Sequence, residues 1–274
     1  MTAANEPAGR APGTAVAVRV AYRGALVLGL PAVLLLVWWF ASDGSTNFYL
    51  PSLRNILTAF GDTWFGPRLG TDVLPSVVRL LLGYLIAVAV GIGLGVAIGR
   101  RQVLRAVIEP VLEFLRAIPP PVLVPILMLF AGIGDSMKIL VIVSGCVWPV
   151  LLNTVEGVRA IDAVLADTCR SYRIGGRFRL WHLILRSASP QIMTGARQAL
   201  SIGIILMVIS EMFAASSGLG FTVVQFQRGF EIPEMWSGVL LLGLLGVLLS
   251  LLFRMVEHRV LGWYHGVRRQ ERQR

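Results

Sequence analysis

Lysine occurs once in these 274 residues, at Lys138, and cysteine and histidine are nearly as scarce. Each scarcity closes a class of chemistry. The phosphate-binding loop G-x-x-x-x-G-K-[ST] needs a lysine at the end of a glycine-rich turn, and "DSMKIL" around Lys138 is no such turn, so the chain carries no nucleotide site of that kind. Cys146, in an apolar run, and Cys169, in an arginine-rich stretch, form neither a disulfide framework nor a thiolate cluster. His182, His258 and His265 are too scattered for metal or nucleophilic catalysis. Charge is also short. Charged residues make up 15% of the chain against 55% hydrophobic, with a mean hydropathy of +0.73, beyond what a water-soluble core requires. The chain belongs in a bilayer, with no catalytic residue, no metal site and no cofactor expected in it.

Spans of about 20 apolar residues, the length that crosses hydrocarbon as a helix, number six. They cover residues 25–42; about 71–99, containing "AVAVGIGLGVAIG"; 117–134, broken by four prolines and beginning near Arg105; about 138–155; about 192–215, containing Glu211; and 235–253. The fold class is therefore an all-α polytopic membrane protein with six transmembrane helices. The first span reads as retained rather than as a cleaved signal, since its apolar run is long, Pro31 lies inside it and no A-x-A site follows. No loop is long enough for a second domain. The chain divides into a tail (1–24), a single membrane domain (25–256) and a second tail (257–274).

Arginine and lysine placement sets orientation, because short basic loops stay in the cytoplasm. With both termini inside, 20 of the 25 basic residues fall at the cytoplasmic side, and Arg54, Arg68, Arg79, Lys138 and Arg228 at the other. The same asymmetry accounts for the net charge of +10 without a nucleic-acid partner.

The longest inner loop, about 160–190, holds "RSYRIGGRFRLWHLILRSASP", with five arginines. "AIDAVLADTCRSY" predicts a helix that continues the fourth span outward, with Ile161, Val164, Leu165 and Thr168 on one side. Gly175 and Gly176 break it by allowing positive φ. "RFRLWHLILRSA" predicts a second short helix with Leu180, Leu183 and Ile184 on one stripe, and Pro190 starts the next span. Such a knob fits either anionic lipid headgroups or a partner protein, since Trp, Tyr and Arg anchor interfaces.

From Pro51 to about Trp263 the chain resembles permease subunits of binding-protein-dependent ABC importers, in the nitrate, sulfonate and taurine group. The carrying segments are "LRAIPPPVLVPILMLFAGIGDSMKIL", "PVLLNTVEGVRAID" and "EMFAASSGLG", together with the loop, which resembles the superfamily's EAA motif. Asp167, Thr168 and Cys169 stand where Glu-Ala-Ala would, Arg173 where its glycine would, and Arg186 replaces the closing proline. Gly175 and Gly176 are placed to supply a displaced turn. The resemblance implies a coupling helix that docks on a separate ABC ATPase subunit, with Asp167, Arg170, Tyr172, Arg173, Gly175, Gly176, Arg177, Trp181 and Leu185 as its contact set. It also implies a second permease copy, two ATPase subunits and an extracytoplasmic binding protein that delivers small solutes. The other readings of the loop and span pattern are an ion-coupled carrier and a non-transporting scaffold.

Three features remain. Ala87, Gly91, Gly95 and Gly99 recur every four residues and form a smooth strip for close helix approach. Pro119, Pro120, Pro121 and Pro125 mark either a break opening a path or a simple helix end. Glu211, a carboxylate in an apolar span, holds helices together through an ion pair, serves as a gate residue or carries a coupling proton. Glu211, Ser216, Ser217, Pro120 and Met128 form the expected translocation path.

Overall fold

The structure is a computed structural model that describes residues 29–264 apart from 31, 45, 46 and 214. The first tail, the start of the first span and most of the second tail lie outside the described residues. Helices are α1 (Ala32–Ser42), α2 (Leu53–Trp64), α3 (Leu69–Gly99), α4 (Gln102–Ala117), α5 (Pro120–Ala131), α6 (Asp135–Arg159), α7 (Ala163–Ser171), α8 (Gly176–Phe213), α9 (Leu219–Arg228) and α10 (Ile232–Val260). No strand occurs among the described residues. Two compact units are formed, Met1–Ala59 and Phe60–Arg274, and the helical bundle lies in the second.

Four helices, α3, α6, α8 and α10, are long and apolar enough to cross a membrane, and α4 with α5 makes a fifth if the bent pair is one span. The bend is 73°. Proline chemistry produces it: the residue before a proline is pushed out of the helical region, and Ile118 is extended (ψ 118°) ahead of Pro119. α4 buries no residue, whereas α5 runs into the core at Val124. α1, at eleven residues, is too short to cross as described.

α6 is the central helix, packed along its length against α3 on one side and α8 on the other. Between helices in lipid the hydrophobic effect offers little, so contact depends on close approach, and small residues permit it. Gly83, Gly91, Gly95 and Gly99 of α3 meet Ile142, Val150, Thr154 and Val158 of α6, with Ala87 fully buried among them. A Cβ added at Gly95 would sit 2.6 Å from the Thr154 Cβ. The strip is a tight seam, extended by Gly83 one turn beyond the expected four. On the far side of α6, Gly195 backs onto the Pro149 carbonyl, and Gly203 onto Leu80 and Cys146. Polar groups in the seam are answered within the bundle: Tyr84 Oη donates to the Ala196 carbonyl of α8 at 3.1 Å and Thr154 Oγ1 to the Val150 carbonyl at 2.6 Å. α10 is the least buried of the four long helices, with Leu244, Val247, Leu248 and Leu251 exposed as a lipid-facing surface would be.

Three expectations for the loop region are corrected. α6 does not continue outward: it ends at Arg159, and α7 starts afresh because Asp162 caps it, Oδ1 accepting from Val164 N at 2.6 Å and Leu165 N at 3.3 Å. The second short helix is the first part of the 38-residue α8, so Pro190 lies inside a helix and starts nothing. Its missing N–H would have bonded the Arg186 carbonyl; the Ser189 hydroxyl takes that acceptor instead, at 2.8 Å. The turn between α7 and α8 does not use the paired glycines for positive φ: Gly175 has φ −57°, and the left-handed residue is Arg173, at φ 50°.

Candidate functional sites at the two ends of the bundle

At one end of the bundle α3 begins, α6 begins and α8 finishes, and their charges meet. Arg79, 5% exposed, enters from α3. Its Nε donates to Asp135 Oδ1 at 2.8 Å, its Nη1 to Glu211 Oε1 at 2.8 Å and the Ser217 carbonyl at 3.1 Å, and its Nη2 to Ser217 Oγ at 3.1 Å. Glu211, with no exposed surface, also accepts the Gly220 N–H at 3.0 Å, and Ser76 Oγ lies 2.8 Å from both its oxygens. Ser76 Oγ in turn accepts the Leu219 N–H at 2.8 Å, and Asp72 Oδ1 accepts the Gly218 N–H at 3.2 Å. Lys138, buried, stands 3.6 Å from the exposed Asp135. No buried side-chain nitrogen or oxygen lacks a partner among the described residues.

This geometry accounts for the "EMFAASSGLG" segment. The chain leaves α8 after Phe213, doubles back and re-enters helix at Leu219, pinned to the Glu211 carboxylate. Gly218 sits at φ 121°, a conformation that favours glycine, and any Cβ there would overlap the Glu211 carboxylate. A Cβ at Gly220 would meet the Val208 carbonyl at 2.5 Å.

Glu211 therefore does not stand alone. Its partners Arg79 and Ser76 lie 132 and 135 positions away, and sequence reasoning missed both, along with Asp72, Asp135 and Lys138. One signal was available: Arg79 interrupts the apolar run "LPSVVRLLLG", and a lone base in one span calls for a lone acid in another. Of the other path residues, Ser217 belongs to this cluster, Ser216 is exposed beside it, Pro120 lies half-buried close to Gly145, and Met128 packs on the main core cluster. Among the described residues no set of His, Cys, Asp and Glu could hold a metal ion.

The opposite end carries the arginine-rich segment. α7 buries none of its residues, and its apolar side is open, with Val164 72% and Leu165 52% exposed. Asp167 and Arg170 pair at 3.1 Å, both exposed. Tyr172 ends the helix fully in the open, and Arg173 turns the chain, its N–H donating to the Arg170 carbonyl at 2.9 Å. α8 then starts at Gly176. Ile184 is buried with Leu180 and Leu185 packed around it, while Arg177 and Trp181 face outward. Phe178 and His182 stack at 3.9 Å beside Trp181. All nine residues of the expected contact set lie on this one end, on α7, the turn and the start of α8.

Residues 87–262 match the family model described as binding-protein-dependent transport system inner membrane component. The chain belongs to that family. It is 30% identical to the taurine transport system permease protein TauC of Escherichia coli K12, covering 87% of this chain and 90% of that one, and 32% identical to the aliphatic sulfonates transport permease protein SsuC of the same organism, covering 86% and 92%. Among solved structures it shares its fold with the MetNI methionine ABC transporter in an inward-facing conformation, at a TM-score of 0.52 and 18% identity, over 76% of this chain and 95% of that one. It is an ABC permease of the nitrate, sulfonate and taurine group, an importer component rather than an enzyme, with ATP hydrolysis left to a separate subunit.

Proposed function

We propose that this permease imports a small sulfonate or kindred oxyanion, handed over by a binding protein at the Glu211 end and driven from the α7 end by two ATPase subunits. Two copies enclose the route. Each contributes six spans, with α4 and α5 together as the third and both termini in the cytoplasm. ATP-driven closure of the paired ATPases draws the two α7 helices together, and α6 and α8, anchored to the loop at either side, tilt and switch access. The route runs past Ser216 and Ser217, with Glu211 behind them, and along Pro120 and Met128.

The observation that carries the coupling assignment is the uncovered face of α7. A capped helix that buries nothing and exposes Val164, Leu165 and Tyr172 next to Trp181 is costly in water and becomes favourable in a partner's groove. The substrate class follows the relatives, which are named for taurine and aliphatic sulfonates. The permease reconstituted with its ATPase and binding protein should take up labelled taurine or an alkanesulfonate only with ATP. Leu165→Glu with Trp181→Glu should leave insertion intact and abolish ATPase capture and uptake; retention of both activities overturns the docking assignment.

A further inference from the structure

Where α3 turns into α4 and α6 gives way to α7, five arginines line one cleft of about 510 Å³: Arg100, Arg105, Arg159, Arg170 and Arg179. Two are answered locally, Arg159 by Glu156 at 2.6 Å and Arg170 by Asp167 at 3.1 Å. Arg100, Arg105 and Arg179 have no acidic partner among the described residues, and Arg105 and Arg179 are half-buried. Glu109, one turn along α4 from Arg105, makes no ion pair with it. Three uncompensated cations around one concavity repel one another, and partial burial weakens the screening that water gives on an open surface. An anion seated among them removes that repulsion.

The shape of the guanidinium favours phosphate, which it meets with two parallel N–H donors. The floor of the cleft favours a lipid as the phosphate's carrier. Val158 and Ile184 beneath the arginines are buried and apolar, and exposed Val103 and Val107 continue along α4 from the rim. The cleft lies at the level where the apolar helices α3 and α6 come to an end. A cationic rim over an apolar floor at the edge of an apolar band suits a headgroup with acyl chains better than a free ion.

We propose that this cleft seats the phosphate of an anionic phospholipid headgroup. Its walls come from α4, the end of α6, α7 and the start of α8, so the lipid ties the exposed helix α7 to the turn after α3 and steadies the loop from behind.

The test is lipid retention by the purified full chain, read by native mass spectrometry after exchange into mixed micelles of phosphatidylglycerol and phosphatidylcholine. Wild type should hold phosphatidylglycerol in preference to phosphatidylcholine, and Arg105→Gln with Arg179→Gln should weaken that retention about tenfold or more. Arg254→Gln with Arg259→Gln, which removes equal charge from α10, should not; thermal melting verifies that both variants are folded. Equal retention in the two double variants, or no preference for phosphatidylglycerol in wild type, overturns the proposal. A cleft that binds inorganic phosphate but no lipid overturns the lipid as its occupant. So does one whose Arg105 and Arg179 are shielded from phenylglyoxal by an added ATPase subunit but not by phosphatidylglycerol.

Discussion

Arginine does opposite work at the two ends of this bundle. Arg79 is almost wholly buried, with every nitrogen committed and its charge answered by Glu211 and Asp135. Arg170, Arg173 and Arg177 are exposed, and the one ion pair among them, Arg170 with Asp167, is a surface pair. The lesson is in the solvent. A buried pair in a low-dielectric setting must be complete, because removing either partner strands a charge that nothing screens. An exposed guanidinium owes little to its intramolecular neighbour and stays available to others.

The largest expected effect is at the buried end. Glu211→Leu leaves Arg79 facing only Asp135 and should cost about 3–5 kcal/mol, read by unfolding in mild detergent. Arg79→Met combined with Glu211→Leu should recover most of the loss; a double variant as unstable as the single would show that backbone contacts to Glu211, not charge, hold this end.

The α3 seam sharpens the comparison at the next scale. Gly95→Ala forces a Cβ into Thr154 and should cost about 1–3 kcal/mol, whereas Gly93→Ala, on a face with no neighbour within 4 Å, should change stability by less than about 1 kcal/mol. The same unfolding assay compares the two variants directly.

At the exposed end effects on stability are smaller and local. Asp162→Ala removes the α7 cap at a cost of about 1 kcal/mol and should speed amide exchange at Val164 and Leu165 while global melting barely moves. Smallest of all, Arg173→Gly should relieve about 1 kcal/mol of left-handed strain and slow exchange in the turn, the reverse of the usual effect of a glycine. Faster exchange there would mean that Arg173 is held by contacts rather than tolerated.

Much of this was legible before the fold. Arg173 is an instance: it stands where the EAA pattern has its glycine, and it takes a left-handed conformation of the kind that favours glycine. The expectation that Gly175 and Gly176 would take over the turn failed because the N-terminus of α8 needs an extended residue before it, not a left-handed one, and Gly175 supplies that. Pro190 misled in the same way. A proline reads as a helix start, but Ser189 beside it answers the freed carbonyl and lets the helix run through. Asp162, an acid directly before "AVLA", was a readable cap that would have separated α7 from α6.

Periodicity and composition alone determined that the chain is helical, apolar and membrane-bound, that one strip of α3 is made for close contact, and that the arginines crowd one loop. These are properties of neighbours in sequence, set by side-chain volume and transfer free energy. Which helix the strip meets, that Arg79 finds Glu211 across 132 positions, and that three unpaired arginines from separate segments share a cleft were decided only by the tertiary structure. Charges in a low-dielectric interior choose partners by distance in space, and no local pattern encodes that distance.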